Sequence, residues 1–101
     1  MSGITHVTEF TPTTFEQITV TSSATLLSAL LSAGLPTGAK HAVFYPEGDV
    51  RWRGDGTSPT ADVGVVMAGS AEEVWESQRT LMEAVEFIAS GDTLVNIQFF
   101  K

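Results

Sequence analysis

Apolar and polar residues alternate along several short stretches of this chain, most clearly near the C-terminus. There, Val95, Ile97 and Phe99 alternate with the polar residues Asn96 and Gln98. A period of two places the first set on one face of a β-strand and the second set on the other. The pattern therefore predicts a half-buried strand over residues 93–100.

Weaker alternation predicts four more strands, at residues 14–21, 40–45, 49–53 and 63–68. Pro46 and Gly48 suit a tight turn, so we expect the second and third of these strands to form a hairpin. Leucines at positions 26, 27, 30 and 31 instead have helical spacing, but Gly34 and Pro36 limit any helix there to a few turns. The chain is therefore predicted to be mainly β, with a short helix within residues 22–35.

Residues 70–89 contain a pattern of a different kind. Ser70 followed by Glu73 has the spacing of a capping box, which marks the start of many helices. Apolar residues then lie near one helical stripe, at positions 74, 81, 82, 85 and 88. Taken alone, this segment predicts a helix.

A loop rich in small and polar residues follows the strand at 49–53. Gly54 and Gly56 flank Asp55 and permit turn conformations with positive φ. Thr57, Ser58 and Thr60 offer hydroxyl groups to loop amides, and Pro59 favours an extended Ser58. The residue types predict a structured loop in which Asp55 caps amides and pairs with Arg51 or Arg53.

The run from Arg51 to Gly64 also resembles a known motif. It matches the R-x-R-x-D-G-T-x-P-T-x-x-x-G run of small β-sandwich proteins encoded in the structural gene modules of tailed bacteriophages. The resemblance extends over residues 17–101 and implies a virion component. It further implies a strand near 72–76, a helical turn near 79–84 and a strand at 85–88. We follow it in preference to the helix that periodicity alone indicates.

Length and composition limit the organisation of the chain. A chain of 101 residues forms one domain, which we expect to consist of an extended N-terminal arm at 1–13 and an all-β, jelly-roll-like antiparallel sandwich at 14–101.

A net charge of −7 argues against a nucleic-acid partner, because such binding requires Lys and Arg at the phosphates. The longest apolar run, about 12 residues, is too short for a membrane span, which needs about 20. The chain has no cysteine, as is usual for proteins made in a reducing cytoplasm.

Residues that could carry chemistry are few. The chain has no cysteine nucleophile and two histidines, His6 and His41, so we predict no enzymatic activity and no cofactor. His41 is expected to pack at an edge or surface. Asp55, Thr57 and Asp62 could supply oxygens to calcium, but the order of an EF-hand is missing, so we predict no metal site.

Two larger groups of side chains admit two interpretations each. Five glutamates accompany a single Arg79 and form either a solvated face or a partner surface: Glu72, Glu73, Glu76, Glu83 and Glu86. Trp52, Trp75 and Phe87 could form a sugar-binding platform, but we expect them in the core, since large aromatic side chains dominate burial in a small domain.

The motif resemblance implies a structural protein of a bacteriophage virion, and we expect a capsid decoration or cement protein on the shell exterior. Its expected partners are the major capsid protein and further copies of itself, with a trimer as the leading oligomer. The predicted interface residues are Arg51, Arg53, Asp55, Thr57, Pro59 and Thr60. The alternatives are a tail, collar or head-fibre component that supports host attachment, and a carbohydrate-binding module.

Overall fold

The computed structural model describes residues 10–101, and within that range the chain forms eight strands and two short helices. In chain order these are β1 (Pro12–Val20), β2 (Thr25–Leu26), α1 (Leu27–Leu30), β3 (His41–Pro46), β4 (Val50–Arg53), β5 (Val65–Met67), β6 (Glu73–Trp75), α2 (Arg79–Ala84), β7 (Glu86–Ile88) and β8 (Thr93–Phe100). The predicted all-β class is confirmed.

The strands form two four-stranded antiparallel sheets. The first has the order β1-β8-β3-β6 and the second the order β2-β7-β4-β5. The strands pair as a long hairpin would if it were folded in half and rolled up: β1 with β8, β2 with β7, β3 with β6 and β4 with β5. This pairing is that of a jelly roll, as predicted.

The core lies between the sheets and follows from the alternation in the sequence. In β8, Val95, Ile97 and Phe99 point inward and are fully buried, whereas Asn96 and Gln98 point outward. Each such burial contributes about 1.5–3 kcal/mol. The predicted strand at 93–100 is therefore correct in both its bounds and its buried face.

An aromatic cluster fills the centre of the sandwich. The rings of Phe44 and Trp75 lie 4.6 Å apart, and Trp52 meets Trp75 edge-on with ring centroids 5.1 Å apart. Phe87 of β7 completes the group at 6.0 Å from Phe44. These aromatic residues are part of the core, as predicted, and buried Trp75 therefore does not form the exposed platform that a carbohydrate-binding module requires.

Residues 70–89 fold as the motif resemblance implied, not as one helix. Ser70 and Ser77 have positive φ values of 62° and 56°, which a continuous α-helix does not allow. Ser70 donates its backbone N–H to the Pro46 carbonyl (2.7 Å) instead of capping a helix. The carboxylate of Glu73 accepts the indole N–H of Trp75 (2.8 Å). Local strand geometry, supported by these bonds, therefore overrides the helical periodicity.

Two local expectations need correction. The strands β3 and β4 belong to different sheets, so residues 46–48 cross between sheets and do not close the predicted hairpin. The hairpin partner of β4 is β5. The first strand begins at Pro12, two residues earlier than expected, because Pro12 pairs with Phe100.

The end of the predicted arm contacts the outer face of the first sheet. Phe10 packs against a small apolar cluster formed by Val43, Val74 and Phe100. The ring of Phe10 also stacks on His41, with centroids 3.6 Å apart and planes 5° from parallel. Residues 1–9 of the predicted arm lie outside the described residues.

Candidate functional site

The loop between β4 and β5 contains most of the predicted interface residues. Arg53 and Asp55 form a bidentate ion pair, in which Nε donates to Oδ1 (3.1 Å) and a terminal guanidinium nitrogen donates to Oδ2 (2.5 Å). Asp55 Oδ1 also accepts the backbone N–H of Thr57 (3.3 Å). The predicted role of Asp55, as a cap for loop amides and a partner of an arginine, is confirmed.

This ion pair shifts the pKa values of both side chains. The hydrogen bond to Asp55 raises the pKa of Arg53, and the hydrogen bond from Arg53 lowers the pKa of Asp55, with the Thr57 amide adding to the second effect. Both side chains are charged at neutral pH and satisfy each other. Arg53 therefore stabilises the loop, because its ion-pair partner, Asp55, belongs to the same loop.

The far side of the loop is held by three further contacts. The Ser58 hydroxyl donates to Glu86 Oε1 on β7 (2.7 Å), and Pro59 is buried. Thr60 closes a turn, since its N–H donates to the Val63 carbonyl (2.9 Å) while its hydroxyl accepts the Val63 N–H (3.0 Å). The loop is thus fixed at both ends and in the middle.

Gly64 allows the loop to join β5. Its φ of 146° is one that residues with side chains rarely adopt. A Cβ there would lie 3.2 Å from three groups: Arg51 Cβ, Pro59 Cβ and the Trp52 carbonyl oxygen. The last position of the motif is therefore a glycine for steric reasons.

Arg51 has different surroundings from Arg53. It lies on the outer face of the second sheet, opposite Val66 on β5 and Ile88 on β7. One guanidinium N–H donates to the Gly64 carbonyl oxygen (3.1 Å). Among residues 10–101, Arg51 has no carboxylate within ion-pair distance, whereas Arg53 pairs with Asp55 and Arg79 with Glu83.

A shallow cleft adjoins Arg51 on this face. Its volume is about 180 Å³, and its walls include both apolar and polar side chains. The main lining residues are Asp49, Arg51, Ala61, Val66, Ile88 and Ser90. The cleft combines the half-buried Arg51 cation and the Asp49 carboxylate with small apolar walls, an arrangement that can accept a polar group next to an aliphatic group.

The predicted interface residues thus separate into two roles. Arg53, Asp55, Pro59 and Thr60 hold the loop, together with the Thr57 amide, while Arg51 adjoins the cleft. Sequence reasoning missed the Ser58–Glu86 bond, because its partners are 28 residues apart. It also missed the exposed valines of β5, because an uncharged apolar run such as residues 63–71 predicts burial.

His41 is buried on the central strand β3, not at an edge or surface as expected. Its Nδ1 accepts the backbone N–H of Ser77 (2.9 Å), and its ring lies under Phe10. Burial, and secondarily the charge of Lys40, lowers its pKa. The neutral ring is therefore a packing element joining β3 to the loop before α2.

The acidic side chains predicted as one region take several structural roles. Arg79 pairs with Glu83 (3.0 Å) and donates to the carbonyls of Pro36 (2.7 Å) and Ala39 (3.1 Å). Glu73 and Glu86 bond Trp75 and Ser58, as described above. Within the described range, no group of three or more His, Cys, Asp or Glu side chains is placed to hold a metal ion. No helix in that range is long and apolar enough to cross a membrane.

Comparison with known protein families, with curated proteins and with solved structures gave no match to this chain.

Proposed function

We propose that this protein is a structural component of a bacteriophage virion. Specifically, it acts as a decoration or cement protein that binds the outside of the capsid and stabilises contacts between capsomers. Its partners are the major capsid protein and further copies of itself. The action is binding, and no chemical step is part of it.

This proposal depends mainly on where the structure places the motif residues. Arg53, Asp55, Pro59 and Thr60 lock a loop beside Arg51 and its cleft. A fixed loop next to a cation without a carboxylate partner among residues 10–101 suits a protein-binding surface, because rigid surfaces lose little entropy on binding. In this proposal, Arg51 pairs with a carboxylate of the major capsid protein.

The fold adds support by analogy. Jelly rolls occur in viral capsid proteins and also in lectins, so the fold alone does not define a function. The motif resemblance favours the virion over the lectin setting. A chain of this size also buries a modest contact area, and repetition over the capsid lattice multiplies its effect.

A second candidate is a tail, collar or head-fibre component that supports host attachment. The observation in its favour is exposed Tyr45 on the outer face of the first sheet. Beside it, Gln17 donates to Asn96 Oδ1 (3.0 Å), and Asn96 donates to Glu47 (3.1 Å). An exposed aromatic ring next to amide and carboxylate groups is suited to sugar recognition.

Electron cryomicroscopy of the intact particle, with copy number measured in parallel, tests the proposal. Decoration predicts density on the capsid exterior and a copy number that scales with the number of capsomers. A copy number equal to the ring symmetry of a tail or vertex, with density at that position, would favour the second candidate. Absence of the chain from purified particles would contradict both.

A further inference from the structure

The two sheets of the sandwich end in four edge strands, and three of these are protected. Glu16 of β1 accepts the N–H (2.7 Å) and the hydroxyl (3.2 Å) of Ser32, which holds the segment after α1 against that edge. The edge strand β2 is only two residues long and runs directly into α1. Short edges, covering segments and charges are the usual means of preventing edge-to-edge pairing.

The third protected edge is β6. It carries Glu73 and is flanked in sequence by Glu72 and Glu76. Carboxylates at this density oppose the approach of another copy of the same acidic chain. The negative charge at β6 therefore opposes pairing with another strand.

The fourth edge, β5, is three residues long like β6, but it carries no charge. No charged residue occurs between Val63 and Ala71. Val63, Val65 and Val66 keep 52%, 51% and 47% of their surface exposed. Within residues 10–101, β5 pairs with β4 on one side only, so the backbone groups on its other side are open to a further strand.

We propose that β5 pairs with β5 of a second copy, antiparallel and across a two-fold axis. The contact would join two four-stranded sheets into one continuous sheet of eight strands. It concerns how copies of this chain meet, and it holds whether or not the chain decorates a capsid.

Three features favour a second copy as the occupant. Antiparallel pairing of identical strands about a two-fold axis is self-complementary, so one surface serves both partners. The uncharged strand places no like charges opposite each other, although the chain carries a net charge of −7. The other three edges of a neighbouring copy are protected as described, so its β5 is the least protected of the described edges.

This geometry differs from the trimer expected from the sequence. A two-fold strand pair joins two copies, and a threefold group would need a different surface. The valines would be covered by their counterparts, which removes the exposed apolar edge that a monomer presents to solvent.

The absence of cysteine allows a direct test by crosslinking. Val65→Cys and Val66→Cys, made separately, each introduce a single thiol beside the proposed axis. Under mild oxidation, at least one variant should form a disulfide-linked dimer much faster than Phe15→Cys. Phe15 is a matched control, since it is 60% exposed but lies on β1 in the other sheet. Equal rates for all three variants would overturn the proposal.

Sedimentation velocity over a range of concentrations supplies the second test. The unaltered chain should be a dimer that dissociates on dilution, and Val65→Lys should weaken dimerisation at least tenfold, because an edge lysine opposes strand pairing. Phe15→Lys should leave dimerisation unchanged, and circular dichroism should show that both variants fold. A monomer or trimer for the unaltered chain, or a dimer insensitive to Val65→Lys, would overturn the inference while leaving the capsid proposal open.

Discussion

Trp52 and Val65 are directly opposed in the β4–β5 ladder and point to the same inner face, yet their surroundings differ sharply. The indole of Trp52 packs edge-on against Trp75 in the core, whereas Val65 keeps 51% of its surface exposed. The core thus includes Trp52 and, on β5, Met67, but it does not include Val65. Residues at these two positions should therefore affect different properties.

We expect Trp52→Ala to lower the free energy of unfolding by about 3 kcal/mol, because it leaves a cavity beside Trp75. Val65→Ala should change the stability of the monomer by less than about 0.5 kcal/mol, since the side chain is half exposed. Chemical denaturation at a concentration where the chain is monomeric would measure both. Similar losses for the two variants would contradict the described core boundary.

A second prediction concerns the crossing between sheets. A Cβ on Gly69 would lie 2.6 Å from Gly48 Cα and 2.8 Å from Gly48 C, both backbone atoms. Gly69→Ala should therefore destabilise the fold by about 1–3 kcal/mol, as overpacking does. Gly91→Ala is the matched control, because nothing lies within 4 Å of its Cβ position. Thermal unfolding of both variants tests this, and an unchanged Tm for Gly69→Ala would refute the close approach.

The buried His41 predicts a pH dependence of stability. Its pKa in the folded chain lies below the ordinary value of 6.5, so the unfolded chain binds more protons as the pH falls below about 6.5. The free energy of unfolding should therefore decrease from that pH downward, through the lowered pKa of the folded state. His41→Asn keeps a side-chain acceptor for the Ser77 amide but does not titrate there.

Denaturation of both proteins between about pH 7.5 and 5.5 checks this expectation. The variant should be less stable at the upper end and show a flatter dependence on pH. The difference between the two proteins isolates the contribution of His41. Identical slopes would show that His41 does not contribute.

Arg51 should matter for binding to the shell more than for folding. Arg51→Gln removes the cation beside the cleft, and we expect it to weaken binding to capsids that lack the protein by about tenfold, which is about 1.4 kcal/mol. Lys101→Gln removes the same charge from an exposed position at the C-terminus and should bind normally. Quantitative co-sedimentation with such capsids measures both. Equal weakening by the two changes would indicate a general charge effect instead of a contact at Arg51.

Much of the fold was predictable because it depends on local alternation. The inner face of β8 follows from the positions of Val95, Ile97 and Phe99, and the Arg53–Asp55 pair joins residues two positions apart. The stripe within residues 70–89 was misleading, since the helix is interrupted by positive φ at Ser70 and Ser77, and neither conformation is visible in the residue type. The resemblance of the motif supplied what periodicity could not.

The remaining features depend on how distant segments meet. Which strand lies at an edge depends on sheet order, so the exposure of Val65 and Val66 on β5 could not be read from their apolar character, which predicts burial. Within residues 10–101, Asp55 forms its ion pair with Arg53 and not with Arg51, and this choice likewise depends on the loop geometry. From the sequence, either Arg51 or Arg53 could pair with Asp55. The loop geometry pairs Asp55 with Arg53 and leaves Arg51 beside the cleft.

The thermal stability of the capsid tests the proposed function most directly. A decoration protein binds the assembled shell and has no equivalent site on the disrupted shell, so it stabilises the assembled state by mass action. Capsids that lack this protein should form with normal geometry but release their DNA at a lower temperature, and adding the purified protein to full occupancy should restore the original release temperature. Equal release temperatures with and without the protein, at confirmed full occupancy, would contradict the account.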